Sequence, residues 1–138
     1  RATLAINQVP SSGKIVVGQI HAYDSQKPLV KVEYQYKEKT QTGNIVAKVR
    51  MRPDDSQSRV IIVAENVPLE KNFTYVVHLN KAGLLRVEAA SGQWNERIGA
   101  AWGKKPLYFK AGVYVQDNSG DSREGGKVTF AKLDIDHN

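Results

Sequence analysis

Two polar side chains interrupt a strand-like run near the start of the sequence. Ile15 to Ala22 is rich in β-branched residues, and Gln19 and His21 stand two positions apart within it. Strand alternation predicts that both share one face with Ile15 and Val17. An imidazole exchanges protons near neutral pH, and a carboxamide donates hydrogen bonds without titrating. A neighbouring carbonyl could equally satisfy such a histidine, so the pair alone leaves catalytic and structural roles open.

A second polar face follows near the end of the chain, in the run Leu107 to Gln116. Alternation places phenols, an ammonium, a carboxamide and a bare glycine on one face, namely Tyr108, Lys110, Gly112, Tyr114 and Gln116. The glycine leaves space where a ligand could approach the backbone. Tyrosine is also common in strands for packing reasons, so a decorated exposed strand is the alternative interpretation.

Together the two runs resemble polysaccharide lyase family 7, the alginate lyases. Gln19-Ile20-His21 is similar to the Gln-(Ile/Val)-His motif of that family. Tyr108 to Gln116 is similar to its Tyr-Phe-Lys-Ala-Gly-x-Tyr-x-Gln motif, with Val115 where the family usually has Asn. The resemblance covers nearly the whole chain, 1–138. It implies a secreted or periplasmic enzyme with an all-β, β-jelly-roll sandwich of two antiparallel sheets, whose concave face is the substrate cleft.

A third family motif, Arg-(Ser/Thr)-Glu-Leu-Arg, is absent from the sequence. Arg1 opens a segment, Ala2 to Val9, that resembles the strand following that motif. We therefore expect residues 1–138 to be an N-terminally incomplete alginate lyase β-jelly-roll domain: either the chain is a fragment, or the N-terminal strands with their arginine belong to a separate segment. Without them the 138 residues should be inactive and poorly stable. A structure should then show those strands separately, or a gap in the sheet beside Gln19 and His21.

The resemblance implies β-elimination on alginate, with no metal or other cofactor. Gln19 would help neutralise the uronate carboxylate, so that the C5 proton can be removed. His21 would serve as the base and Tyr108 as the acid for guluronate, whereas Tyr108 could perform both steps on mannuronate. Lys110 would place positive charge near Tyr108. Within the family, Ile rather than Val at position 20 favours guluronate-containing substrates.

Further cations lie on polar faces of two other strand-like runs, Leu29 to Tyr36 and Asn44 to Arg52. Strand alternation places their apolar residues on one face and Lys31, Lys48, Arg50 and Arg52 on the other. A solvated sheet face would look the same. If the resemblance holds, these cations would bind neighbouring carboxylates along the cleft, together with Lys110, Tyr114 and Gln116.

The elements that must position these groups are all strands. Short runs rich in Val, Ile, Tyr and Thr alternate with Gly, Asn, Asp, Ser and Pro clusters. No segment shows apolar residues at helical spacing. Many short strands of this kind are typical of a sandwich or barrel. Besides the four runs above, the predicted strands are Arg59 to Ala64, Phe73 to Leu79, Leu84 to Ala89 and Lys127 to Ile135.

Composition limits the partners. The chain has 20 Lys and Arg against 14 Asp and Glu, and this excess favours a polyanion. It contains no cysteine, which excludes disulfides and thiol nucleophiles, and no apolar run approaches the roughly 20 residues of a membrane helix. An acidic polysaccharide is the partner we expect, with no nucleic acid or membrane. The alternative functions are a non-catalytic carbohydrate-binding sandwich and a protein that binds single-stranded nucleic acid.

Overall fold

The computed structural model describes residues 1–22, 27–99, 102, 107–114 and 126–134, and at 22 and 112–114 it describes the backbone alone. The described residues form ten strands: β1 (Ala2–Gln8), β2 (Lys14–Ala22), β3 (Val30–Lys37), β4 (Thr42–Val49), β5 (Arg59–Pro68), β6 (Phe73–Leu79), β7 (Leu84–Ala89), β8 (Gly92–Arg97), β9 (Leu107–Tyr114) and β10 (Lys127–Leu133). The predicted end of the last strand, Ile135, lies outside the described residues.

The strands form two antiparallel sheets of five. The front sheet has the order β5-β4-β3-β2-β9, and the back sheet has the order β10-β1-β6-β7-β8. The apolar sides of both sheets meet in one core, which includes Tyr34 and Ile15 from the front and Tyr75 and Leu4 from the back. The predicted all-β class and two-sheet antiparallel sandwich are therefore confirmed. Strand β8 was not predicted, because its sequence is mostly polar.

Alternation along β3 determines which side chains the front sheet presents outward. Val30, Val32 and Tyr34 are fully buried in the core, so the residues between them lie on the opposite, outer face. The same reasoning applies to β4, where Ala47 and Val49 face the core. The apolar inner face predicted for these two strands is confirmed.

The sandwich is closed along the side where β5 meets β8. Arg59 and Glu96 form an ion pair there, at 2.5 Å between Nη1 and Oε2. A Cβ atom on Gly92 would collide with the backbone carbonyl of Val63, so only glycine allows this close approach of the two sheets.

The opposite side is open within the part of the chain that the structure describes. There β9 pairs only with β2, and β10 pairs only with β1. Four apolar side chains along these two edge strands are only partly buried: Leu107, Phe109, Val128 and Phe130.

The expectation of a gap beside Gln19 and His21 is therefore wrong for these residues. Strand β2 pairs with β3 on one side and with β9 on the other. The unpaired edge lies one strand further away, at the outer side of β9. A strand added at this edge would pair with β9 and lie beside Tyr108 rather than beside His21.

A buried phenol makes the stability of this fold sensitive to alkali. Burial, and to a smaller extent the nearby Tyr36, raises the pKa of Tyr34 from 10.0 to about 12. Because the folded pKa exceeds the unfolded one, this stabilisation is complete below about pH 10 and is lost as the pH rises through about 12. We expect the free energy of unfolding to fall between these pH values, and to fall less steeply in Tyr34→Phe. Urea denaturation at a series of pH values measures both slopes, and equal slopes would contradict the assignment.

Candidate active site

A β-bulge in β2 determines where Gln19 and His21 lie. Val16 pairs with Glu33 of β3 and Gly18 pairs with Val32, so Val17 is an extra residue that no residue of β3 opposes. The bulge shifts the alternation by one residue. The predicted sharing of one face by Ile15, Val17, Gln19 and His21 is therefore wrong: the first two are buried in the core, and the last two lie on the outer face.

A row of polar side chains crosses the outer face at the level of Gln19. In register across four adjacent strands, Lys110 lies opposite Gln19, Gln19 opposite Lys31, and Lys31 opposite Lys48. We call these four residues the cross-strand row. Adjacent strands are about 4.8 Å apart, so the row spans about 14 Å between its outer backbones. The sequence resemblance had assigned all four to the site, and the fold brings them together.

Two residues further along β2 from Gln19, the outer face brings together the two groups that can exchange protons. His21 and Tyr108 are opposite one another on β2 and β9. Their rings stack at 5.8 Å between centroids with an interplanar angle of 27°. The Nζ atom of Lys110 lies 5.6 Å from the centroid of the Tyr108 ring. Both ring side chains are half-buried, so a ligand on the outer face could reach them.

Gln19 occupies the most enclosed position of the cross-strand row. Its relative exposure is 9%, although it lies on the outer face of the sheet. Its neighbours in the row are two lysines, Lys110 and Lys31, on either side. An amide whose cross-strand neighbours on both sides are lysines is well placed to donate a hydrogen bond to a carboxylate that they attract.

The charges of the row act on one another. Burial lowers the pKa of Lys31, and the positive charge of Lys48 lowers it further. Glu33 opposes this effect by raising the pKa, and Arg50 adds a smaller lowering. An unoccupied row thus disfavours its own positive charge, and an anionic ligand would relieve that repulsion.

Glu33 is a component of the site that the sequence analysis did not single out. It is 4% exposed, and its carboxylate oxygen Oε2 lies 3.0 Å from Nζ of Lys48. Nζ of Lys48 donates a hydrogen bond to Oε1 at 3.3 Å, and Nε2 of Gln35 donates one to Oε2 at 2.7 Å. Its place between Lys31 and Gln35 on the polar face of β3 was the signal that could have found it.

Two predicted binding residues do not join the row. The predicted strand to Arg52 ends at Val49, because the chain then bends into a turn that contains Pro53 and is closed by a hydrogen bond from Asp55 N to Arg52 O. Arg50 donates through Nε to the carbonyl of Asp55 at 2.8 Å and through Nη1 to the carbonyl of Pro28 at 3.2 Å. Arg50 therefore ties two loops together, and Arg52 is exposed on the turn, where its backbone N–H donates to Asp55.

The remaining predicted residues are described only in part. The backbone of Tyr114 pairs with that of Val16, which on its other side pairs with Glu33. Between Ala111 and Tyr114, β9 contains one residue more than the facing part of β2. Gln116 lies outside the described residues.

Among the residues that are described, no three His, Asp or Glu side chains cluster in a way that could hold a metal ion. No helix within the described ranges is long and apolar enough to span a membrane.

Known structures share this architecture. An alginate lyase from Pseudomonas aeruginosa, PA1167, is 39% identical with a TM-score of 0.92, and the match covers 99% of this chain and 63% of that one. An alginate lyase from Klebsiella pneumoniae is 20% identical with a TM-score of 0.87, covering 99% and 58%. Alginate lyase A1-II' is 27% identical with a TM-score of 0.81, covering 99% and 60%. The chain thus spans about three fifths of the length of these relatives.

These matches confirm the β-jelly-roll sandwich that the sequence resemblance implied. No curated protein matches the chain. The sequence model of a family described as alginate lyase matches residues 1–137, which is almost every position. The chain therefore belongs to the alginate lyase family.

Proposed function

We propose that this protein cleaves the 1,4-glycosidic bond of alginate by β-elimination and leaves a 4,5-unsaturated uronate. The observation that carries the proposal is the stacked His21–Tyr108 pair beside the cationic cross-strand row. A proton acceptor and a proton donor thus lie next to groups that can bind a carboxylate. Alginate is the acidic polysaccharide named by the family, and it suits the excess of positive charge.

The proposed reaction assigns one task to each group. Gln19, assisted by Lys110 and Lys31, holds the carboxylate of the uronate and stabilises the negative charge that develops on it. His21 removes the C5 proton, the C4–O bond breaks as the C4=C5 double bond forms, and Tyr108 protonates the departing oxygen. Lys48 binds a neighbouring carboxylate along the cleft.

Relatives support a polysaccharide ligand. Alginate lyase A1-II' has been solved with a product, GGG, and with a substrate, GGMG. In the substrate complex, one histidine of that protein is replaced by asparagine and one tyrosine by phenylalanine. This supports a histidine and a tyrosine as the groups that perform the chemistry here, His21 and Tyr108.

We propose guluronate-containing alginate as the preferred substrate, since Ile20 stands between the two motif residues. The short distance between the His21 and Tyr108 side-chain rings favours mannuronate as the second candidate. A pyranose needs roughly 7–8 Å between two flanking groups, given contacts of about 3.5–4.0 Å on each side. The His21 and Tyr108 centroids are 5.8 Å apart, so guluronate, which needs the two groups on opposite sides, requires them to separate. Mannuronate can be reached from one side.

The first test of the proposed function concerns the two proton-transfer residues. His21→Ala and Tyr108→Phe should each reduce kcat by about 100- to 10,000-fold, the usual contribution of a positioned acid or base. The assay is absorbance of the unsaturated product on alginate, poly-guluronate and poly-mannuronate in parallel, with His78→Ala on the back sheet as control. Near wild-type turnover by Tyr108→Phe would reject its assignment and make Tyr114 the candidate. Salt-sensitive binding without any product would instead indicate a carbohydrate-binding module.

A second test follows from the cationic row. KM for alginate should rise with ionic strength, because salt screens exposed charges over a Debye length of about 8 Å at physiological strength. Lys31→Met should raise KM at low salt and flatten this dependence. Lys81→Met, in the exposed hairpin loop between β6 and β7, should leave both unchanged. If KM did not depend on salt in the wild type, a cationic cleft would be ruled out.

The buried carboxylate beside the row provides a third test. Glu33 raises the pKa of Lys31, so Glu33→Gln should lower that pKa further. Lys31 would then lose its positive charge at a lower pH, and KM should begin to rise at a lower pH than in the wild type. Michaelis kinetics from pH 7 to pH 10 test this, with Glu88→Gln on the back sheet as the matched control. An unchanged KM profile in Glu33→Gln would show that Glu33 does not act on the row.

A further inference from the structure

A tyrosine of the back sheet reaches across the core to the bulge that places Gln19 and His21. Tyr75 lies in β6 and is fully buried. Its hydroxyl donates a hydrogen bond of 2.8 Å to the backbone carbonyl of Val17. A bulged residue leaves the regular strand ladder, and a buried carbonyl needs a donor. Tyr75 supplies a donor at the point where the alternation of β2 shifts.

The contact also determines the residue that follows the bulge. A Cβ atom on Gly18 would lie 2.6 Å from the Tyr75 hydroxyl oxygen and 3.0 Å from the adjoining ring carbon. Real Cβ atoms do not approach other atoms so closely, so any side chain at position 18 would displace the phenol from Val17. The tyrosine and the glycine are therefore paired features of one arrangement.

The same ring contacts the second strand of the site. The rings of Tyr75 and Phe109 lie 6.4 Å apart between centroids, tilted by 45°. Phe109 is the inward-facing residue between Tyr108 and Lys110 on β9. Tyr75 thus contacts β2 just before Gln19 and contacts β9 directly behind the two outward residues that face the candidate ligand.

We propose that Tyr75 is a positioning residue that sets the placement of Gln19 and His21 relative to Tyr108. This inference rests on the proposed function, which it deepens. Without the hydroxyl, the carbonyl of Val17 loses its donor and the bulge is free to relax. A shift of about 1 Å in a reacting group can cost about 100-fold in rate, and a one-residue slip would turn the side chains to the other face.

The chain offers a matched control in Tyr34. It is also fully buried, and its hydroxyl also donates to a backbone carbonyl, that of Val67, at 2.8 Å. Its ring likewise packs against a glycine, Gly43, where a Cβ atom would collide with it. The hydroxyl of Tyr34 binds the end of β5, whereas that of Tyr75 binds the bulge in β2. The two Tyr→Phe variants therefore remove the same chemical group and differ only in what that group holds.

The kinetic test compares these variants at neutral pH. Tyr75→Phe and Tyr34→Phe should lower the urea midpoint by similar amounts. Tyr75→Phe should reduce kcat on alginate by at least about tenfold with KM within about twofold of wild type, because Lys31 and Lys48, which lie on β3 and β4 away from the bulge, still bind the polymer. Tyr34→Phe should keep wild-type kcat and KM. Equal kcat in the two variants would overturn the proposal.

A second readout does not depend on lyase activity. Nuclear Overhauser contacts between the His21 and Tyr108 rings should be present in the wild type and in Tyr34→Phe, and weakened or lost in Tyr75→Phe. If the wild type showed the ring contact but no product from alginate, the proposed function would fail and the positioning role would still be tested. An unchanged ring contact in Tyr75→Phe would reject that role. If Tyr75→Phe did not fold, Phe109→Leu replaces it, and unchanged kcat and ring contact in that variant would reject the proposal.

Discussion

The extra residue at Val17 is the constraint on which the site depends. Strand β2 must bury Ile15 and Val17 in the core and, a few residues later, present Gln19 and His21 on the outer face. A regular strand cannot do both, because its alternation has a period of two. The bulge inserts one residue and so changes the phase. Strand β9 contains a compensating extra residue, which brings Tyr114 back into register with Val16.

Charge balance is the second organising feature of the outer face. Three lysines in one row repel one another, and burial adds a cost to the charge of Lys31. Glu33 offsets part of this repulsion by pairing with Lys48, at the end of the row away from His21 and Tyr108. Glu33 also raises the pKa of Lys31, so it compensates the two lysines on β3 and β4, whereas Lys110 lies on β9 at the far end of the row. The compensation by Glu33 thus acts at the end of the row that is away from the proposed proton-transfer pair.

Much of this architecture could be predicted from the sequence. Alternation in β3 and β4 gave the correct inner faces, and the family motifs gave His21, Tyr108 and Gln19 as neighbours. The phase of β2 could not be predicted by alternation, because Val16, Val17 and Gly18 fit either face and the bulge is held by Tyr75, which is distant in sequence. Arg50 and Arg52 were misplaced for a related reason: the turn that contains Pro53 and the carbonyls of Pro28 and Asp55 compete with the strand. Glu33 was overlooked because its importance lies in a cross-strand partner, Lys48.

The geometry also bears on which cation neutralises the substrate carboxylate. The family's N-terminal arginine motif is not in this sequence, and Arg50 already donates to two loop carbonyls. Lys110 lies opposite Gln19 and 5.6 Å from the Tyr108 ring centroid. A cation–π contact at a partly exposed site contributes about 0.5–1 kcal/mol, whereas a hydrogen bond to a charged group contributes about 1.5–3 kcal/mol. A bound carboxylate should therefore draw the ammonium of Lys110 away from the ring, so that substrate binding itself places the cation beside Gln19 and frees the face of Tyr108 for the sugar.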